Sequence, residues 1–424
     1  MVVSSWYLLF PASKPKSGRI STYPRCADFP SHFSGYWDVA KRTGGDVSNE
    51  SKFSSRWGDV TLNYGGSYTY ETLAPPSDIE KLAGTVTNNE IARDGWRKEG
   101  SAFVSGEWKV NEWLKLDGAL RYSKTHSYDR NARQVPAPGE STDTAPWYNN
   151  EERSSGFAPI IATTIEPVDG LQFYVRYAEA IRSPSLFEST TGFSVSNTPS
   201  ITLKPEHTRN WELGINVEMD NVLRTADELR FKLAYFDNKA KNYLTRGVAF
   251  EGNGTTMRNL DHARFKGLEV TGRYDAGDFY AEASGIYYTK TEFCAQNALN
   301  GLYCFSDGSN SGYGQLHVPP KMSGSVTLGA RMFEESLDVG ARISYTGKRP
   351  SDFLDLTGSA SQTTTIAWKP YTLVDLFASY KINEDVTLDF NVDNVTDVYY
   401  MDALTLGLMP SPGRSFRASL TAKF

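Results

Sequence analysis

The 424-residue sequence predicts an all-β protein, an antiparallel transmembrane β-barrel, and three patterns carry that prediction. Apolar and polar residues alternate with period two in many separate segments, as they do when successive side chains point to opposite faces of a strand. Short and long polar connections alternate between those segments, which suits tight turns at one membrane surface and large loops at the other. The last segment, 413–424, keeps the alternation to its terminal aromatic residue: Phe416, Ala418, Leu420, Ala422 and Phe424 share one face, and Ser415, Arg417, Ser419, Thr421 and Lys423 the other. A strand apolar on one side and charged on the other forms a wall between lipid and a watery lumen. Phe416, Leu420 and Phe424 are read as its membrane and assembly signature, implying bilayer lipid and a barrel-assembly machinery as partners.

Taken in order, the first strand is expected near 56–70. Strands 101–110 and 113–125 flank a turn at Asn111-Glu112, and in the second of them Leu114, Leu116, Gly118, Leu120 and Tyr122 oppose Lys115, Asp117 and Arg121. Strands 154–166 and 171–182 flank Glu166 to Gly170, and 207–219 and 228–242 flank Asp220 to Asp227, with Leu229, Phe231, Leu233 and Tyr235 opposing Arg230 and Lys232. Strands 264–275 and 278–291 meet at Asp275 to Asp278. Strands 321–333 and 337–348 meet at Glu334 to Ser336, with Leu337, Val339, Ala341, Ile343 and Tyr345 on one face. Strands 370–382 and 386–394 meet at Asn383 to Asp385, and 413–424 closes the series. That makes about fourteen strands, most of them as long as the ~9–11 residues a tilted strand needs to cross the hydrocarbon layer. Long polar connections lie near 126–153, 183–206, 243–263, 292–320, 349–369 and 395–412. Residues 1–50 lack clean alternation and are expected to be an irregular or truncated start, with the barrel portion spanning 51–424.

Composition excludes other classes. No run of 18 apolar residues exists, so transmembrane helices are ruled out. The 24 Tyr, 22 Phe and 9 Trp suit the aromatic girdles of a barrel. A net charge of −6 argues against nucleic acid as a partner. Cys294 and Cys304, within one long connection, are expected to form a loop disulfide, while Cys26 has no assigned role. The N-terminus shows no basic region or cleavage site of a secretion signal, which suggests a chain that begins part-way through a larger protein.

Several inner segments carry a family resemblance. The run Phe173 to Glu188, which includes Arg182-Ser183-Pro184, is followed by Leu203-Lys204-Pro205-Glu206-His207-Thr208-Arg209-Asn210-Trp211-Glu212-Leu213-Gly214. Asn391 to Tyr400 leads to Pro412-Gly413-Arg414-Ser415-Phe416. Together these segments resemble the TonB-dependent outer-membrane receptors, over residues 154–424. The resemblance implies the outer membrane of a Gram-negative bacterium, a 22-strand barrel, and a plug and TonB-contact segment that residues 1–100 do not resemble. The chain therefore looks like the C-terminal part of a receptor, whose TonB complex would act through an N-terminal region. A fourteen-strand sheet closed without a plug would instead be a passive pore or structural barrel.

Arg182-Ser183-Pro184 stands where the haem and haemoprotein (hemophore) receptors carry Phe-Arg-Ala-Pro. Val318-Pro319-Pro320-Lys321 and Leu328-Gly329-Ala330-Arg331 also look like that subgroup, which makes haem or a haem-carrying protein the lead substrate, with a ferric siderophore or other bulky nutrient as the alternative. No permanently bound cofactor is expected. The subgroup places a haem-ligating histidine after its Phe-Arg-Ala-Pro box, and Ser185 to Lys204 contains none. Imidazole suits haem iron, so His207 is the weak substitute candidate, with His32, His126, His262 and His317 behind it. Tyrosine also ligates haem iron, but 24 of them leave none singled out. Further substrate-loop candidates are Arg182, Pro184, Phe293, Tyr303, Phe305 and Tyr313, the aromatic ones because aromatics among small polar residues make adaptable recognition surfaces. There is no Gly-x-Ser-x-Gly, phosphate loop or zinc spacing, and Asp261-His262 is the only hint of catalytic pairing, so no enzyme is expected.

Overall fold

The computed structural model describes residues 3–9, 39–74, 93–130, 151–190, 202–248, 255–297, 301–308, 316–350, 369–402 and 410–423. Nineteen strands run through them: β1 (Val3–Leu9), β2 (Val39–Ser55), β3 (Gly58–Ala74), β4 (Gly95–Lys109), β5 (Leu114–Asp129), β6 (Glu151–Val168), β7 (Leu171–Arg182), β8 (Glu206–Asp220), β9 (Glu228–Lys241), β10 (Leu244–Val248), β11 (Thr255–Asn259), β12 (His262–Asp275), β13 (Phe279–Asn297), β14 (Gly301–Phe305), β15 (Met322–Met332), β16 (Leu337–Thr346), β17 (Tyr371–Lys381), β18 (Val386–Asp393) and β19 (Ser415–Ala422). All pairings are antiparallel. The chain forms one continuous meander in which β9 pairs directly with β12 and β13 with β15.

The registers sort the side chains as the alternation predicts. From β7 across to β13, the row Arg176, Glu212, Phe236, Gly267 and Tyr288 shares a face with the row Gln172, Asn216, Lys232, Thr271 and Ser284. That face is concave, because Arg273 of β12 and Asn391 of β18, five strands apart in the sheet, line one cavity. Charges there pair across strands: Lys232 with Glu212 at 3.3 Å and Arg331 with Asp275 at 2.8 Å. The convex face carries Ile161, Leu213, Leu328, Ile343, Phe390, Phe416 and Leu420, all exposed. An exposed apolar belt of this extent belongs against lipid, and the fold is that of a transmembrane barrel.

Inward aromatics lie across cross-strand glycines, which keeps bulky rings flat on the lumen wall. A Cβ on Gly329 would stand 2.2 Å from Cζ of Tyr280, and one on Gly340 2.3 Å from Cζ of Phe377. At the short-turn end, the Asp227 carboxylate accepts the backbone N–H groups of Val222, Leu223 and Arg224 at 2.6, 2.8 and 2.8 Å and the Tyr274 hydroxyl at 2.7 Å. Those four donors hold its pKa down at about 2.

The fourteen expected strands all occur, and the count is corrected by two that precede them, β1 and β2. The convex face of β2 carries Lys41, Thr43, Asn49 and Ser51 beside Val47 and Phe53, so its sequence shows no apolar stripe. Two long connections expected to be plain polar loops also contain strands: the β10–β11 hairpin and the extension of β13 with β14.

Candidate ligand site at the barrel mouth

The connection after β7 folds inward over the lumen face of β4 to β6. Ser183 donates to the Thr125 hydroxyl at 3.1 Å and lies 2.6 Å from the Ser154 hydroxyl. Pro184 is buried, and Ser185 caps a single helical turn, α1 (Leu186–Ser189), through a reciprocal box with Glu188. Arg182 then clamps the connection: its Nε donates to Glu206 at 2.6 Å and its Nη1 to Glu188 at 2.8 Å. Glu206 is buried and also accepts the Leu244 N–H at 2.6 Å, which ties this clamp to the β9–β10 corner.

That corner presents Tyr243, whose hydroxyl lies 2.7 Å from Nδ1 of His317. The Tyr243 ring packs on a small core of Leu260, Ala263, Phe293, Ala295 and Val318, against which Phe265 and Tyr303 also pack. From His317 the rings of Tyr243, Phe293 and Phe265 follow edge to face, at 6.0, 5.7 and 5.6 Å between centroids. Tyr288 and Phe236 continue the column down the lumen wall. Desolvation by the surrounding protein, with the Arg182 and Arg349 guanidiniums adding to it against Glu206, lowers the His317 pKa, although the residue is exposed by surface area. Burial raises the Tyr243 phenol. The mouth thus holds an imidazole and a phenol side by side, on an aromatic wall, within the field of Arg182 and Glu206.

The other sequence candidates fall in different places. His207 faces the convex, lipid side, where its Nε2 meets Glu179, so it does not look into the lumen. His126 lies against Trp96 on that same outer face. His262 is held by Asp261 at 2.6 Å and stands 3.5 Å from Glu292, with Cys294 close by. Cys294 is committed to Cys304, its cross-strand partner in the β13–β14 hairpin, with Cα atoms 4.1 Å apart. Tyr303 joins the core and Phe305 is exposed beside it. Tyr313, Phe424, Cys26 and His32 lie outside the described residues. Tyr243 is the residue sequence reasoning missed, and nothing local marks it out: its position depends on β9 turning into an unexpected hairpin.

The family model for the TonB-dependent receptor-like β-barrel matches residues 12–395, and the chain belongs to that family. It is 32% identical over 297 residues to the hemophilin receptor of Acinetobacter baumannii, across 64% of this chain and 28% of that protein. It is 30% identical over 149 residues to the hemin receptor of Yersinia pestis, across 32% of this chain and 22% of that protein. The matches thus span less than a third of either curated relative's length. A solved double mutant of the Serratia marcescens hemophore receptor, in complex with its hemophore and haem, superposes with a TM-score of 0.70 at 25% identity, covering 91% of this chain and 59% of the receptor.

Proposed function

We propose that this chain supplies the barrel of a Gram-negative outer-membrane receptor that takes up haem, free or delivered by a carrier protein, in a TonB-dependent manner. The observation that carries the reading is the 32% identity over 297 residues to a hemophilin receptor, and the superposition on a hemophore receptor supports it. The reading makes the chain a transport receptor rather than an enzyme, with haem as cargo. Its geometry suits the role: imidazole and phenolate are both ligands that haem iron takes, and the mouth joins His317 to Tyr243 above a lumen-facing aromatic column. The role first considered for His207 passes to His317, because His207 faces lipid.

The test is a haem titration of the full chain folded in detergent, followed at the Soret band. Wild type is expected to saturate at a fixed stoichiometry. His317→Ala is expected to weaken binding by roughly 10–100-fold, the range for removing a metal-site partner, and His207→Ala to leave it unchanged. Absence of saturable binding by the folded wild-type chain would move the assignment to a ferric siderophore.

A further inference from the structure

Above the apolar belt, on the long-connection side, the convex face carries a lattice of charge spanning five strands. The register places Glu179, Arg209, Lys239, Arg264 and Glu292 in one row, each directly opposite the next. The row farther from the membrane centre reads Ile181, His207, Lys241, His262 and Cys294. The row nearer to it reads Tyr177, Trp211, Asp237, Lys266 and Lys290. One step lower come Val175, Leu213, Tyr235, Leu268 and Tyr287, the upper edge of the apolar and aromatic belt.

Within the lattice three cations, Arg209, Lys239 and Arg264, stand directly opposite one another, an arrangement that destabilises a sheet unless an anion relieves it. The carboxylates present are already taken. Asp237 holds Arg264 at 2.7 Å and Lys266 at 3.0 Å, Glu292 holds Lys290 at 2.8 Å, and Glu179 reaches Arg209 at 3.6 Å and meets His207. Asp261 is bonded to His262 at 2.6 Å. Lys239 and Lys241 are exposed and make no ion pair among the described residues. Six lysines and arginines in these rows therefore face three carboxylates, and the two at the centre of the excess have no carboxylate partner among the described residues.

We infer that this lattice is a binding site for the phosphate groups of a lipid headgroup in the adjoining leaflet, with Lys239 and Lys241 as the cations that receive them. The inference rests on reading the chain as a membrane barrel. Height selects a lipid: the rows begin one step above Tyr235 and Tyr287, where an aromatic belt marks the interface between hydrocarbon and headgroups. Charge selects its chemistry, since basic patches at that height attract anionic headgroups. Asp237, Glu179 and Glu292 hold the flanking cations in place, so the site is partly organised before the lipid arrives.

The experiment uses the full chain in neutral detergent micelles doped with bis-phosphorylated lipid A, with the same lipid stripped of its phosphates, or with inorganic phosphate alone. Lipid retained per chain is counted by native mass spectrometry and thermal unfolding is followed in parallel. The phosphorylated lipid is expected to remain bound and to raise the melting midpoint. The Lys239→Gln/Lys241→Gln double variant is expected to lose roughly tenfold or more in apparent affinity, and Lys381→Gln, at the opposite membrane surface, to behave as wild type. Equal retention of the stripped lipid, an unaffected double variant, or a full shift from inorganic phosphate alone would each overturn the proposal while leaving the barrel intact. A chain that stays folded and monodisperse without detergent would overturn the membrane reading itself.

Discussion

The 2.7 Å contact between the Tyr243 hydroxyl and Nδ1 of His317 takes the phenol as donor when Nδ1 is bare and the imidazole as donor when Nδ1 carries the proton. Desolvation lowers the His317 pKa below its ordinary value near 6.5, so the folded rim resists protonation more than the unfolded chain does. Stability contributed there is present above 6.5 and is lost as pH falls through the lowered value, since the unfolded state then binds more protons. Hydrogen exchange at Leu260 and Phe293 is expected to accelerate below that pH in wild type and to become flat with pH in His317→Phe. Identical pH profiles for the two would disprove the coupling. A second residue-scale expectation concerns Arg182, which holds a buried Glu206 and a capping Glu188 with one guanidinium. Its side chain is 47% exposed, so solvent screens part of the interaction. Arg182→Ala is expected to cost about 1–2 kcal/mol and to release the connection after β7 to limited proteolysis. Lysine at that position should recover only part of the loss, because it cannot bridge two carboxylates with a planar fork.

At the scale of elements, period-two alternation located the fourteen strands whose two faces contrast, apolar on one side and polar on the other. Where the two sides do not contrast, the signal vanishes. The convex face of β2 is polar over most of its length, and its Asn49 is buried under the Tyr64 hydroxyl at 2.8 Å rather than facing lipid. The β10–β11 hairpin and the tip of β13 rise beyond the bilayer, so nothing forces one face to be apolar. Cys294 and Cys304 were legible as a pair because they share one connection, whereas Tyr243 and His317 are 74 residues apart and meet only through the fold. The disulfide closes a separation of 10 residues, which on chain entropy is worth roughly 2–3 kcal/mol. Cys294→Ala/Cys304→Ala is expected to loosen the β13–β14 hairpin and the Phe293 core locally, seen as faster exchange at 293–305, with the β15–β19 strands unchanged. A uniform loss of protection across the sheet would contradict that local role.

For the whole molecule, the decisive property is that one sheet separates two solvents, so neighbouring residues on a single strand answer to different rules. In β15, Thr327 and Leu328 are consecutive, yet Thr327 pairs with Glu282 and Arg342 on the concave face while Leu328 pairs with Ala281 and Ala341 on the convex one. Leu328 is 57% exposed, which is unremarkable in lipid and costly in water. An arginine at 327 would enter a lumen already carrying Arg273, Glu282, Arg342 and Asp375 around one cavity, where water and carboxylates receive it. An arginine at 328 would face hydrocarbon near the middle of the strand, at a cost of about 2–4 kcal/mol. Urea unfolding of the chain in lipid vesicles is therefore expected to separate the two variants by that amount, with Thr327→Arg close to wild type. Transfer to detergent micelles should shrink the gap, because a micelle deforms and hydrates more readily than a bilayer. Equal penalties at the two positions in vesicles would mean that the convex face does not meet lipid, and the transmembrane reading would fall with it.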